Sequence, residues 1–163
     1  MSGTPREGRI MEDEVRAGFM ELALDEAVQA AQAGEVPVGA VIVRGAEVIA
    51  RGHNMREHWL DATAHAEVIA IREACRKLHN WRLAGCTLYV TVEPCPMCAG
   101  AIWNSRIDTV VFGCRDNRAG AVESLFNVLS HPSLNHRPVV IGGICEEKCR
   151  ALMQDFFAQR RAE

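Results

Sequence analysis

The chain has no apolar run approaching the roughly 20 residues that a membrane-spanning helix needs. Its first eleven residues are polar and lack the apolar core of a secretory signal. Basic charge is not in excess either: 18 Lys and Arg stand against 21 Asp and Glu. The resulting net charge of −3 does not by itself suggest a nucleic-acid partner. There is no internal repeat, low-complexity tract or linker. These absences argue against a membrane protein, a solenoid and a chain of tethered modules. They lead to the expectation of an unsecreted, cytoplasmic protein. Residues 1–11 read as a disordered tail, and residues 12–163 as a single domain large enough to bury a core.

Apolar residues make up 48% of the chain and charged residues 24%, as in ordinary soluble domains. Seven cysteines is an odd number, and without a secretion signal they argue for a reduced compartment and a metal. Charge is unevenly placed. Residues 1–35 carry three Arg and eight Asp or Glu, whereas the remainder carries fifteen Lys or Arg and thirteen acids. The acidity thus belongs to the first helix, and a basic face elsewhere stays open.

Two short stretches carry the chemistry: His65-Ala66-Glu67 and Pro94-Cys95-Pro96-Met97-Cys98. One imidazole and two thiolates are three good zinc ligands, and three ligands rather than four leave a coordination position for water. A carboxylate beside such a site is an acid/base candidate. His65 and Glu67 are two apart and cannot share a face in mid-helix, but they can converge from the first turn. Asp61 and Thr63 are cap-type residues ahead of an apolar stripe of Val68, Ile69, Ile71, Ala74 and Leu78. Pro94 and Pro96 suit a helix entry, and Cys95 and Cys98 lie on one side of a turn. Two helix N-termini aimed at one metal are therefore expected, their partial positive charge favouring thiolate and hydroxide. A Cys-x-x-Cys alone would equally suit a redox pair, or a closed zinc site completed by Cys75, Cys86, Cys114, Cys145 or Cys149. His-x-Glu followed by Pro-Cys-x-x-Cys instead resembles the signature of zinc nucleobase deaminases.

Along the chain, Phe19, Leu22, Ala23, Glu26, Ala27, Ala30 and Ala31 recur at helical spacing, and Gly34 reads as the stop. Residues 38–43 and 47–51 read as a hairpin, the first strand buried on both faces. A helix over about 65–79 and strands over 87–92, 107–112 and 138–141 follow, with helices over 98–105 and 145–160 and a short one over 124–129. Ile102 and Trp103 are candidate interface residues, and Cys145 and Cys149 read as one helix face rather than a second metal site. Strands joined through helices run mostly parallel. The expected fold is α/β: a three-layer α/β/α domain with a five-stranded mixed sheet, its site at one end of the strands.

The chain resembles the bacterial tRNA-specific adenosine deaminases of the cytidine-deaminase-like superfamily over most of residues 13–161. The resemblance lies in Glu35-Val36-Pro37-Val38-Gly39-Ala40, in Thr63-Ala64-His65-Ala66-Glu67, in the run from Thr87 to Cys95, in Met97-Cys98-Ala99-Gly100-Ala101, in His131-Pro132 with Asn135-His136-Arg137, and in Asp155-Phe156-Phe157. It implies Zn2+ on His65, Cys95 and Cys98, with Glu67 as the acid/base. It implies Asn54 as the base-and-ribose contact. Asp116, His131, Asp155, Arg160 and Arg161 would lie along a groove for the tRNA anticodon stem-loop, in a homodimer. The implied reaction converts the wobble adenosine to inosine. The metal motif itself is shared with deaminases of free bases or nucleosides, guanine or cytosine type, and a non-catalytic zinc- or RNA-binding subunit would also carry the ligands. The chain departs from the resemblance at Met55-Arg56 and at Cys114.

Overall fold

In the computed structural model, which describes residues 3–163, the first helix starts well before the acidic run at Glu12–Glu14. Helix α1 (Pro5–Gln32) opens on a capping box. The Glu7 amide donates to Thr4 Oγ1 at 3.3 Å and the Thr4 amide donates to the Glu7 carboxylate at 2.9 Å. Pro5 occupies the first turn, where its missing N–H costs nothing. The tail expected over residues 1–11 is thus helical from Pro5, while Met1 and Ser2 lie outside the described residues. Helix α1 buries Met20, Ala23, Leu24, Ala27 and Ala30 on one stripe and ends where Gly34 takes φ +77°.

Strands β1 (Gly39–Arg44) and β2 (Glu47–His53) form the hairpin, followed by α2 (Ala66–Leu78), β3 (Cys86–Val92), α3 (Pro96–Ser105), β4 (Thr109–Cys114), β5 (Val139–Ile141) and α4 (Glu146–Ala162). The sheet order is β2-β1-β3-β4-β5. β1 is antiparallel to both β2 and β3, whereas β3, β4 and β5 run parallel. The five-stranded mixed sheet expected from the sequence is present, with the parallel direction starting at β3.

Period-two alternation explains why the central strands are apolar throughout. Ile42, Leu88, Val90, Val110 and Phe112 point to the layer of α2 and α3. Val41, Val43, Tyr89 and Val111 point to the layer of α1 and α4. Ile102 is fully buried in the first of these cores, so it packs the fold and is not an interface residue. Cys149 is buried in the second, against Gly113, where an added Cβ would meet its Sγ at 2.3 Å. Burial raises its thiol to about 12, and that of Cys114 to about 11, so both behave as core thiols. No helix is long and apolar enough to cross a membrane among the described residues.

Residues 124–129 are not the short helix expected; the chain turns at 121–124 instead. The amides of Val122, Glu123 and Ser124 donate to the carboxylate of Glu93 and so are withdrawn from any i→i−4 pattern.

One close approach sets the α1–sheet distance. A Cβ on Gly39 would lie 2.0 Å from the Ala23 carbonyl oxygen and 2.4 Å from the Ala27 nitrogen. Both are helix backbone and cannot rotate away. Gly39→Ala is expected to destabilise the fold by about 3 kcal/mol, read as a lowered urea midpoint at unchanged slope.

Candidate active site

The sheet topology brings three chain segments to one end. β2 ends at His53 and passes into Asn54, β3 passes into Glu93-Pro94-Cys95, and β4 passes into the loop of Asp116. Two helices start there. His65 is the N-cap of α2, in extended geometry, with no side-chain cap bond; Cys95 is the N-cap of α3 in the same condition, followed by Pro96. Asp61 and Thr63 do not cap α2, contrary to the sequence expectation. Asp61 instead accepts from the Thr63 amide at 2.8 Å and hydroxyl at 2.7 Å, shaping the turn before the helix. Both cap side chains are therefore left free to point at a common centre.

That centre is a three-ligand group. Cys95 Sγ and Cys98 Sγ each lie 3.5 Å from His65 Nδ1, and the three atoms are all within 4.8 Å of one another. A tetrahedral zinc with bonds of about 2.0 Å to nitrogen and about 2.3 Å to sulfur has N···S edges of about 3.5 Å. The donor set and its spacing thus fit zinc through Nδ1 of the imidazole. Among the described residues no fourth ligand joins the group, and the other five cysteines lie elsewhere.

The three donor groups are electrostatically linked to one another. The Cys98 thiol, hydrogen-bonded to Cys95, brings the Cys95 thiol down to about 4 against the opposing effect of burial, with His65 assisting. Cys98 is correspondingly pushed up, by that same hydrogen bond and by burial. Cys95 raises the affinity of His65 for a proton despite burial. Glu67, 3% exposed in the first turn of α2, is pushed up to about 7 chiefly by burial. A buried carboxylate of this kind is suited to take and return a proton.

A cavity of about 190 Å³ opens on this group. His65, Glu67 and Cys95 line it, as do Asn54, Arg56, Asp116 and Glu93. Asn54 is 7% exposed; its Nδ2 donates to the Val36 carbonyl at 3.4 Å and its Oδ1 accepts from the Arg56 amide at 3.1 Å. Glu93 does not face the metal group. Its carboxylate is turned into the loop after β4.

A second cavity of about 530 Å³ adjoins the first, sharing Val36, Val92, Asp116 and Met153. α4 contributes Arg150, Met153, Gln154, Phe157 and Arg161, one face at helical spacing. Arg161 is thus on the groove, while Asp155 and Arg160 are off that face. Arg160 stacks on Phe156 at 4.6 Å and donates to the Gly34 carbonyl, tying α4 to the end of α1. His131 lines neither cavity; its Nδ1 accepts from the Ser133 amide at 3.1 Å. Arg118 and Met153 on the groove, and Ala119 in the inner wall, were not singled out from the sequence, and Phe157 was marked only as part of the Asp155-Phe156-Phe157 run. Only the folded loop and the helix face reveal them.

The opposite lip is anchored by Glu35, which is fully buried. It accepts from the Glu57 and His58 amides and from His58 Nδ1, each at 3.0 Å. Burial opposes its ionisation, but the His58 and Glu57 amides and the His58 ring outweigh it and hold the carboxyl below the ordinary value of 4.5. A depressed folded value means the stabilisation is fully present above pH 4.5 and is lost as pH falls through the folded value. Urea midpoints are expected to drop on acidification in that window, and Glu35→Gln to flatten that acid arm.

A family model for MafB19-like deaminases matches residues 14–161. The chain belongs to this family. Among its relatives, the tRNA-specific adenosine deaminase of Bacillus subtilis (strain 168) is 48% identical over 143 residues, covering 88% of this chain and 89% of that protein. The enzyme of the same name from Aquifex aeolicus (strain VF5) is also 48% identical over 143 residues, covering 88% and 94%. A solved structure from work on A-to-I editing by tRNA:A34 deaminases at the wobble position superposes with a TM-score of 0.80 at 47% identity, covering 83% of this chain and 98% of that one. The guanine deaminase from Nitrosomonas europaea superposes at 0.73 with 25% identity, covering 87% and 84%. The same deaminase architecture therefore extends well beyond the tRNA enzymes.

Proposed function

We propose that the protein deaminates adenosine to inosine at the wobble position of a tRNA anticodon, consuming water and releasing ammonia. Deamination rests on the three-ligand group with Glu67 buried beside it; the choice of a tRNA adenosine rests on similarity. Its supporting context is the 47–48% identity to proteins named for that reaction. The guanine deaminase shares only 25% identity.

His65, Cys95 and Cys98 hold Zn2+ in this reading. Zinc so held supplies an activated water at neutral pH and a positive charge beside the reacting carbon. Glu67 accepts a proton from the attacking water as the C6–O bond forms, and delivers it to N1 of the purine. Glu67 then takes the proton of the new C6 hydroxyl and passes it to the amine, so that the C6 carbonyl forms as the C6–N bond breaks and ammonia leaves. Its burial beside the three ligand residues, in the first turn of α2, places it for both transfers. Asn54 offers its amide to the base and ribose from the cavity wall. Asp116 and Arg161 contact the flanking nucleotides of the anticodon loop along the adjoining groove. His131 and Arg160 act there indirectly, through the loop turn and the helix contact they make, and exposed Asp155 reaches the RNA from beside the groove face. An unpaired anticodon base enters such a pocket at low unstacking cost.

The setting proposed is the cytoplasm, consistent with a tRNA substrate and seven free cysteines. A homodimer is proposed through α3, where the half-buried Trp103 stacks with Arg106 at 4.5 Å.

The test is direct. An anticodon stem-loop with A at the wobble position is incubated with the enzyme, beside free adenosine, cytidine and guanine. Ammonia is measured in all four, and A-to-G changes are read by sequencing. Inosine at the wobble position alone is expected; turnover of free guanine with none on RNA would overturn the proposal. Binding of the stem-loop is also expected to weaken linearly in log–log form with salt, by a slope of about −0.7 per phosphate contacted.

A further inference from the structure

Glu93 is a buried acid that the proton transfers do not use. It lies at the exit of β3, two residues before the ligand Cys95, and is 3% exposed. Its Oε1 accepts from the Asp116 amide at 3.2 Å and from the Ser124 hydroxyl. Its Oε2 accepts from the amides of Val122 at 3.2 Å, Glu123 at 2.9 Å and Ser124 at 2.9 Å. A carboxylate has about four lone-pair sites, so these five donors saturate it. Glu93 is therefore closed to metal ligation and to proton transfer, although it lines the cavity beside the zinc ligands.

The loop it gathers forms the far wall of the base pocket, through Asp116 and Ala119. Backbone bonds alone tie that loop to the metal-bearing segment at few points, Ala121 N to the Pro94 carbonyl at 2.8 Å among them. The packing is also closed on its other side. A Cβ on Gly120 would sit 2.5 Å from Glu93 Cδ and 2.4 Å from the Asp116 carbonyl oxygen.

We propose that Glu93 is a positioning residue: its saturated carboxylate locks the 116–124 loop to the strand that delivers Cys95, and so sets the wall against which the target nucleoside binds. The proposal rests on the deaminase reading above. It assigns to Glu93 the binding of substrate rather than the chemical step. Misplacing a pocket wall that touches ground state and transition state alike raises KM and leaves kcat nearly unchanged.

The experiment compares wild type, Glu93→Gln and the milder Ser124→Ala, which removes one donor and leaves the charge. Amide hydrogen exchange is followed at residues 116 and 122–124, with zinc content and steady-state kinetics on the anticodon stem-loop. In Glu93→Gln we expect loop exchange and KM each to rise about tenfold or more, with kcat within about threefold and zinc retained. Ser124→Ala should move KM and loop exchange in the same direction by about two- to threefold. Protected loop amides in Glu93→Gln would overturn the proposal. So would faster exchange with KM unmoved, or loss of zinc together with kcat. If Glu93→Gln does not fold, Ser124→Ala alone decides by the same readouts. Absence of inosine from the wild-type enzyme would instead overturn the functional reading, and the exchange arm would still report whether the loop is tethered.

Discussion

Glu67→Ala is expected to keep zinc near one per subunit and to lose turnover by about 10²- to 10⁴-fold. The variant removes a carboxylate that is 3% exposed and lies in the first turn of α2. It is not among the three ligand atoms, so the metal should stay. Removing a buried acid whose ionisation is opposed by burial also relieves a desolvation cost, so the folded state should not weaken greatly. A thermal melt beside the zinc assay separates loss of the proton path from loss of folding. The readout is inosine in the anticodon stem-loop under single-turnover conditions. Activity within about tenfold of wild type would remove Glu67 from the proton path.

Cys98→Ala should have an effect as large by a different route. Cys98 is fully buried in the first turn of α3, 3.5 Å from His65 Nδ1. Its loss leaves two ligands, and none of the remaining thiols is placed to replace it. Zinc content should fall close to zero and inosine formation with it, and the melting temperature should drop because bound metal stabilises only the folded state. Chelation of the wild-type protein followed by zinc addition should restore activity; the same addition should not restore Cys98→Ala. A variant that retains one zinc and wild-type turnover would show that the metal is held by other groups.

The metal group was legible because its determinants are local. Cys95-Pro96-Met97-Cys98 forces a helix entry with both thiols on one side, and His65-x-Glu67 converges only from a first turn. Those short-range constraints hold whatever the rest of the chain does. The start of α1 was equally local and was missed: Thr4-Pro5 with Glu7 is a capping box, overshadowed by the acidic cluster at Glu12–Glu14. The turn at 121–124 was not legible in the same way. Ser124 and its neighbours have helix-compatible residues, but a carboxylate from β3, about thirty positions earlier, takes their amides.

The groove tells the same story. Asp155, Arg160 and Arg161 are close in sequence, yet only Arg161 lies on the face that lines the cavity, with Phe157 and Met153. Which face of α4 looks inward depends on its packing against β4 and β3. Ile102 and Trp103 are adjacent, and only the core around α3 decides that one is sealed and the other half-buried.

The sequence by itself thus determined which side chains could ligate a metal, which acid stands beside them, and the alternation of strands and helices. Its determinants act over a few residues, where backbone geometry leaves little choice. The tertiary structure alone decided which loops form the pocket wall, which acids are spent on holding them, and which cations reach the groove. Those outcomes depend on hydrogen bonds and packing between segments far apart in the chain, and no local pattern encodes which partner a buried carboxylate will find.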